Sequence, residues 1–295
     1  MRSLGCGAVP DAHPLADDES AYYHLDGDRV VPTARTQSSW DPATQQGPPV
    51  CGILGWAVSR VPSLVPMQMV RLTTDLWRPV PRRPLRVEWS VRREGRRIQV
   101  VDVGLCDGDV EVAHASALRV RREDGEWPDA WHHPDRPPHA PPPVPAAVRD
   151  GLAVGSPFTE PTVPEESRGA GFLRSVDGIR DDGDTAAGRP VVLWARMRQP
   201  LVAGEATPPE GLAGWASDFA SGLASYLDPR QWMYMNPDVN LHLLREPVGE
   251  WVAITGLTWA GDHGIGHGRA RLYDVEGFIG SATAAQLVHR WPDAD

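Results

Sequence analysis

The sequence predicts an α+β protein made of two similar units, each of which wraps an antiparallel sheet around one apolar helix. The first observation is an internal repeat: residues 92–122 align with residues 261–291 without a gap, so that Leu118 falls on Leu287. The second is that both copies have strand-like stretches around a turn, preceded by an apolar stretch with a tryptophan. Such a repeat indicates one supersecondary unit that is duplicated in the chain.

The helix of each unit is apolar on most faces, which predicts burial on nearly all sides by a curved sheet. It lies within residues 52–60 of the first unit and residues 211–223 of the second. Pro48 and Pro49 suit the first turn of a helix, where backbone N–H groups have no helical partner. Gly47 before them permits a sharp turn or the close approach of a ligand.

The strands of each unit follow its helix and are predicted to pair as antiparallel hairpins. Asp107-Gly108 is the turn signal in the first copy, and Glu276-Gly277 occupies the corresponding position in the second. A unit of one helix followed by successive antiparallel strands belongs to the α+β class.

Four segments are predicted along the chain. Residues 1–20 form a flexible N-terminal tail, and residues 21–125 form the N-terminal unit. Residues 126–170 are rich in proline and lack periodicity, which indicates a linker on the surface. Residues 171–295 form the C-terminal unit.

The composition limits the function before any motif is considered. The formal net charge of the 295 residues is -10 and no basic stripe stands out, so we expect no nucleic-acid partner. All 29 basic residues are arginine, which excludes a Schiff-base lysine and a P-loop lysine. The three cysteines match no metal or disulfide framework, and Cys51 is expected to be a small buried residue. No stretch suggests a signal peptide or a membrane span, so we expect a cytoplasmic protein with no metal, cofactor or membrane partner.

Several short motifs resemble the double-hotdog acyl-CoA thioesterases, of the thioesterase II type and its actinobacterial thioesterase-like relatives. In the first half these motifs are Trp40-Asp41-Pro42, Gln45-Gln46-Gly47-Pro48-Pro49, and VRLTTDLWRPVPRRPL at 70–85. In the second half they are RQPLVAGE at 198–205, NPDVNLHLLREPVGEW at 236–251, and LYDVEGFIGSATAAQLV at 272–288. Their order, their spacing and the duplication together make the match specific for the fold.

The resemblance implies a double hotdog, in which two tandem units join their sheets edge to edge and bind an acyl thioester between them. The implied substrate is an acyl-CoA or an acyl-carrier-protein thioester, hydrolysed by an activated water, and a homo-oligomer is possible. The sequence contains no G-x-S-x-G elbow, which argues against an α/β-hydrolase thioesterase.

Thioesterase II enzymes place three catalytic side chains in the second unit: an Asp on the helix, a Thr on the next strand and a Gln near the last strand. Asp218 matches the Asp, and Gln286 most simply matches the Gln. The spacing of Gln286 from Gly277 is one residue longer than in the family, which would turn its side chain to the other face unless a bulge intervenes. The Thr position falls on Asn236 or, as in the actinobacterial relatives, on Asn240, so an amide replaces the hydroxyl at either position.

The resemblance also assigns substrate binding to six residues: Gln46, Gly47, Pro48, Trp56, Trp215 and Asp238. Backbone N–H groups near the start of the first helix are expected to polarise the thioester carbonyl. The two tryptophans are expected to line the acyl pocket. The family usually has His-Gly-Gly before its two prolines, and the corresponding residues here are Gln46-Gly47-Pro48.

These departures from the family pattern leave two alternatives open. A hotdog enzyme recruited to a biosynthetic pathway would act as a dehydratase, cyclase or isomerase on a polyketide-like intermediate. A non-catalytic acyl-binding module would keep the pocket without the chemistry. Resemblance at the level of the fold does not choose among these functions.

Overall fold

The N-terminal unit consists of a short hairpin, one long helix and four strands. The computed structural model describes residues 19–123, 125, 140–158, 171–184, 189–223, 227–228 and 231–291. The elements of this unit are β1 (Tyr23–Asp26), β2 (Arg29–Pro32), α1 (Gly47–Ser59), β3 (Met67–Asp75), β4 (Leu85–Arg93), β5 (Ile98–Asp107) and β6 (Val110–Arg121).

The C-terminal unit repeats this plan after two short helices, α2 (Ala146–Arg149) and α3 (Gly171–Arg174). Its own helix is divided into two pieces, and a hairpin again precedes the helix. The elements are β7 (Val176–Asp181), β8 (Val191–Met197), α4 (Pro209–Ser217), α5 (Phe219–Gly222), β9 (Trp232–Met235), β10 (Asp238–Leu243), β11 (Val252–Ala260), β12 (Ile265–Asp274) and β13 (Gly277–Arg290).

The strands of the described residues form one 13-stranded sheet with a matching strand order in its two halves. The order is β1-β2-β4-β5-β6-β3-β10-β13-β12-β11-β8-β7, and β9 pairs with β13. The two units meet where β3 pairs antiparallel with β10, in a register that places Leu72 opposite Leu241. The predicted α+β fold, with two units joined edge to edge, is confirmed.

Helix α1 begins where the sequence predicts, with Gly47, Pro48 and Pro49 in its first turn. Every residue from Pro48 to Val58 is buried, so the helix has no solvent-facing stripe until its last residue. The low charge on every face of this helix follows from its position between the sheet and α4.

Helices α1 and α4 pack against each other in antiparallel directions with their backbones in contact. Gly55 of α1 lies on the carbonyl group of Glu210 at the start of α4, and Gly214 of α4 lies on the carbonyl group of Cys51. A Cβ atom at either glycine would overlap the facing carbonyl oxygen. The N-terminus of α1 therefore meets the C-terminus of α4.

The helix of the second unit is interrupted at Asp218, which separates α4 from α5. Ser217 Oγ donates a hydrogen bond to the carbonyl oxygen of Gly214 at 2.7 Å, and Ser221 Oγ donates one to the carbonyl oxygen of Asp218 at 2.8 Å. Serine hydroxyls bonded in this way compete with the regular helical hydrogen bonds and often bend helices. The interruption places Asp218 at the end of α4.

Residues 140–158 are the described part of the predicted linker; its remaining residues, and residues 1–18 of the predicted tail, lie outside the described residues. This part lies against the C-terminal unit. Trp194 Nε1 donates a hydrogen bond to the carbonyl oxygen of Pro143 at 3.2 Å, and the Phe158 ring stacks on Phe219 with centroids 6.2 Å apart. Within the described parts of the chain, no helix is both long enough and apolar enough to cross a bilayer.

The contact between the two helices predicts a graded response to alanine. Gly55→Ala is expected to lower the free energy of unfolding by about 1–3 kcal/mol, because the new Cβ meets backbone that has little room to move. This loss outweighs the roughly 1 kcal/mol by which alanine favours a helix over glycine. The measurement is urea unfolding of the variant and the wild type.

Gly52→Ala is the matched control on the same helix. Its Cβ would lie 3.2 Å from Leu201 Cδ1, the end of a flexible side chain, and 3.3 Å from Trp215 Cβ, so the overlap is milder than at Gly55. We expect a smaller loss than at Gly55. A loss at Gly52 equal to or larger than the loss at Gly55 would contradict the backbone contact.

Candidate active site

Asp218 lies where the C-terminal end of α4 meets the N-terminus of α1. The residue is 5% exposed. A Cβ at Gly47 would overlap the Asp218 carboxylate, so this carboxylate lies directly against the backbone of the first residue of α1. The N-terminus of a helix carries partial positive charge. The start of α1 in the N-terminal unit therefore places this charge next to the carboxylate of the C-terminal unit.

The two oxygens of the Asp218 carboxylate have different surroundings. Asn236 Nδ2 donates a hydrogen bond to Oδ1 at 2.8 Å, and Cys51 Sγ lies 3.9 Å from the same oxygen as a second donor. Oδ2 is the carboxylate atom nearest to the position that a Cβ of Gly47 would occupy. Side chains hold Oδ1, while the whole carboxylate lies against the start of α1 with Oδ2 nearest to it.

Burial raises the pKa of Asp218 to about 6. The hydrogen bonds from Asn236 and Cys51 act in the opposite direction, because they stabilise the ionised carboxylate. A carboxyl group with this pKa is mostly ionised at neutral pH and still accepts a proton more readily than a surface aspartate does. These are the properties of a general base.

Cys51 and Thr74 complete the surroundings of Asp218, and neither is a site residue predicted from the sequence. Cys51 is fully buried, as expected, and Thr74 lies beside its thiol with 1% exposure. Burial and the neighbouring Asp218 raise the pKa of the Cys51 thiol well above its usual value. Its spacing, four residues after Gly47, places it on the same helix face and could have revealed it. Thr74 comes from β3 and reaches the site through the tertiary fold alone.

Of the two amides predicted to replace the family threonine, Asn236 contacts Asp218, whereas Asn240 makes its bond to another residue. Asn240 Nδ2 donates to Asp238 Oδ2 at 2.6 Å. Asp238 Oδ1 accepts a hydrogen bond from the backbone N–H of Ala285 at 2.7 Å. Asp238 therefore joins β10 to β13 beside the Asn236–Asp218 pair.

Gln286 is 3% exposed, so its side chain faces the helices despite the longer spacing from the preceding turn. The ladder between β12 and β13 shifts register between Leu272 and Tyr273, and this irregularity takes up the additional residue. Gln286 Nε2 donates to the carbonyl oxygen of Ser221 in α5. The backbone N–H of Ser221 in turn donates to the carbonyl oxygen of Asp218 at 3.0 Å. Gln286 thereby holds α5 next to Asp218.

Three of the predicted binding residues, Gln46, Gly47 and Pro48, lie at the start of α1. Gln46 is the N-cap residue of this helix, and its Oε1 accepts a hydrogen bond from the backbone N–H of Ser39 at 2.9 Å. Gly47 is the first-turn residue that carries a backbone N–H, since proline has none.

The two predicted tryptophans lie at opposite ends of the helix pair. Trp215 is fully buried one turn before Asp218. Trp56 lies near the other end of α1, where its Nε1 donates to Glu205 Oε2 at 2.9 Å. The helix sequence GILGWAVS at 52–59 matches GLAGWASD at 211–218, which pairs Trp56 with Trp215 and Ser59 with Asp218. The structure does not bring Trp56 to the Asp218 site, and the equivalent position at its own end carries a hydroxyl.

Two family models match this chain. The model described as the acyl-CoA thioesterase N-terminal domain matches residues 36–120, and the model described as the acyl-CoA thioesterase C-terminal domain matches residues 153–288. Together they span α1, α4 and the residues around Asp218. Among curated protein sequences, none matches this chain significantly.

Solved structures similar to this chain share its fold at low sequence identity. A conserved protein of unknown function with a hot dog fold from Alicyclobacillus acidocaldarius is 17% identical, with a TM-score of 0.63 over 94% of this chain and 98% of that chain. The acyl-CoA thioesterase II TesB2 from Mycobacterium marinum is 13% identical, with a TM-score of 0.59 over 92% and 96%. A TesB protein from Mycobacterium avium subspecies paratuberculosis is 14% identical, with the same TM-score and coverage.

The raised pKa of Asp218 predicts a pH-dependent cost to stability. Below about pH 4 the carboxyl is protonated in both the folded and the unfolded chain, and the cost is absent. As the pH rises from about 4 to about 6, the unfolded chain releases this proton while the folded chain still holds it, so stability falls by about 3 kcal/mol in total and then levels off. Asp218→Asn removes the charge and should therefore become more stable relative to wild type as the pH rises.

Urea unfolding at pH 4.5, 5.5, 7 and 8 measures this difference. We expect the difference between Asp218→Asn and wild type to grow up to about pH 7 and then to level off. A difference that stays constant over this range would mean that the carboxylate is not buried in the folded protein.

Proposed function

The chain belongs to the acyl-CoA thioesterase family, and from that membership we propose that it hydrolyses acyl thioesters with a water molecule that Asp218 activates. Its enzyme class is that of a thioester hydrolase. The observation that supports Asp218 as the base is the unequal environment of its two oxygens, of which Oδ1 is held by Asn236 and Oδ2 faces Gly47.

The proposed reaction begins with water bound to Oδ2 of Asp218. The carboxylate takes a proton from this water as the water oxygen attacks the thioester carbonyl carbon. The carbonyl oxygen becomes an oxyanion, and the backbone N–H of Gly47 at the positive end of α1 is the donor that stabilises it. The C–S bond then breaks, and the proton on Asp218 goes to the leaving thiolate. The products are a carboxylic acid and a thiol, with no acyl-enzyme.

Asn236 takes the place of the family threonine in this proposal. Its Nδ2 donates to Asp218 Oδ1, which leaves its side-chain carbonyl oxygen available to accept a hydrogen bond from the attacking water. An amide carries both a donor and an acceptor, so it can orient the base and the water together. Gln286 supports the site through α5, and Asn240 supports it through Asp238.

The proposal extends to the substrate carrier and the compartment. The family description favours CoA, and an acyl-carrier protein presents the same thioester. The absence of a cysteine framework in the sequence supports a reducing, cytoplasmic location. We propose a role in lipid or polyketide metabolism, in which acyl thioesters are the substrates.

The test is thiol release from a panel of acyl-CoAs, with short, long and aryl acyl groups. We expect wild type to release thiol from at least one member, and Asp218→Asn to lower kcat/KM by at least ~100-fold, because the base is lost while the shape of the side chain is kept. Asp109→Asn is the matched control, since this aspartate is exposed at the tip of the β5–β6 hairpin. It should retain wild-type activity.

Thiol release by wild type that survives in Asp218→Asn would overturn the assignment of the base. Absence of release from every acyl-CoA by folded wild-type protein, followed by release from the same acyl groups on carrier protein, would change only the carrier. Absence from both would overturn the proposed reaction.

The pH dependence of kcat/KM is a second test of the base. We expect log kcat/KM to rise with unit slope below about pH 6 and to level off above it, because the free enzyme is active only with Asp218 ionised. The profile is measured on the best acyl-CoA of the panel with a thiol probe suited to acidic buffers. A profile that is flat between pH 5 and pH 7 would exclude a base with this pKa.

A further inference from the structure

The packing around Cys51 requires a small buried side chain but does not require a thiol. Its side chain is fully buried, and its Sγ lies 3.9 Å from Asp218 Oδ1, the oxygen that also accepts from Asn236. The Thr74 hydroxyl lies beside the thiol from β3. A small apolar residue would fill the same space between α1 and the sheet. The thiol instead adds a donor directed at the carboxylate.

We propose that Cys51 is a positioning residue, whose thiol, oriented by Thr74, donates to Asp218 Oδ1 and so keeps Oδ2 turned toward the reacting water. This inference rests on the proposed function for the identity of the base. With two donors on Oδ1, rotation of the carboxylate would cost both hydrogen bonds. With Asn236 alone, the carboxylate could exchange its two oxygens more easily.

A role as nucleophile does not fit the surroundings of Cys51. A cysteine nucleophile acts as the thiolate, whose formation requires a lowered pKa. Burial and the negative charge of Asp218 both raise the pKa of this thiol, and the Thr74 hydroxyl opposes them only in part. The thiol therefore stays protonated, and a protonated thiol next to a carboxylate is a hydrogen-bond donor.

The arrangement draws on both units of the duplicated fold. Gly47, Cys51 and Thr74 belong to the N-terminal unit, whereas Asp218 and Asn236 belong to the C-terminal unit. Thr74 is opposite Val239 in the β3–β10 ladder, and Val239 packs against Cys51 in a small apolar cluster. The junction between the two sheets thus fixes the distance between Thr74 and the thiol.

Three other ionisable groups lie near this part of the site, and they are Tyr23, Asp238 and Asp75. Tyr23 next to Cys51 donates its hydroxyl to Gln45 Oε1 at 2.6 Å, and burial raises its pKa well above the usual value. Asp238 on β10 accepts hydrogen bonds from the backbone of Ala285 and from Asn240, and Asp75 on β3 is its cross-strand neighbour. Removal of the Cys51 donor should therefore act on the pKa of Asp218.

Cys51→Ala and Cys51→Ser are the informative pair of variants. Alanine removes the donor, whereas serine keeps a donor on the same Cβ. We expect Cys51→Ala to raise the pKa of Asp218 by on the order of half a unit to one unit, since a lost hydrogen bond no longer stabilises the ionised form. Its kcat/KM should fall more at pH 5.5 than at pH 8. Cys51→Ser should keep the pKa close to that of wild type.

The pKa is read in two ways, from the pH profile of kcat/KM and from a ¹³C NMR titration of the Asp218 carboxyl. The NMR signal is assigned by its absence in Asp218→Asn. Because the titration needs no turnover, it tests the contact even if the proposed hydrolysis fails. Thr74→Val should raise the pKa by less than Cys51→Ala does, and Thr74→Ser should preserve it.

A pKa that stays the same in Cys51→Ala, with activity lowered equally at every pH, would overturn the proposal and leave Cys51 a packing residue. If Cys51→Ala does not fold, Cys51→Val retains the volume and removes the donor, and the same outcome applies.

Discussion

The active site depends on how closely α1 and α4 approach. The two backbones touch at Gly55 and Gly214, so no side chain sets the distance between these helices. Their antiparallel contact brings the end of α4 to the start of α1 and so places Asp218 against Gly47. Interiors packed in this way tolerate little change in volume. The position of the proposed base is thus fixed by a contact between two helix backbones, at which no functional side chain takes part.

The same contact imposes an electrostatic cost on the folded state. Asp218 is removed from water, which raises its pKa to about 6 and makes its ionised form expensive. Asn236 and Cys51 offset part of this cost by donating to Oδ1, and the start of α1 faces Oδ2. Active sites commonly lower the stability of the fold, because they hold a charged group in a buried position where it can react.

The fold could be predicted from sequence to a large extent, because the repeat and the apolar helices are properties of single segments. Asp218 could also be predicted, since it is a lone carboxyl group in an apolar helix that must be buried. The choice between Asn236 and Asn240 could not, because it depends on which residue reaches across from β9 and β10 to α4. The inward face of Gln286 depends on a bulge that no local signal marks. Thr74 is brought to the site by its place on β3 in the folded sheet, which no motif encodes.

The duplicated fold is symmetric in shape but not in chemistry. At the end of the helix pair opposite Asp218, the matching helix sequences place Ser59, and Trp56 donates to Glu205. A hydroxyl at that position cannot take the place of a carboxylate base. The proposed mechanism therefore has a stoichiometry of one reactive centre per two hotdog units.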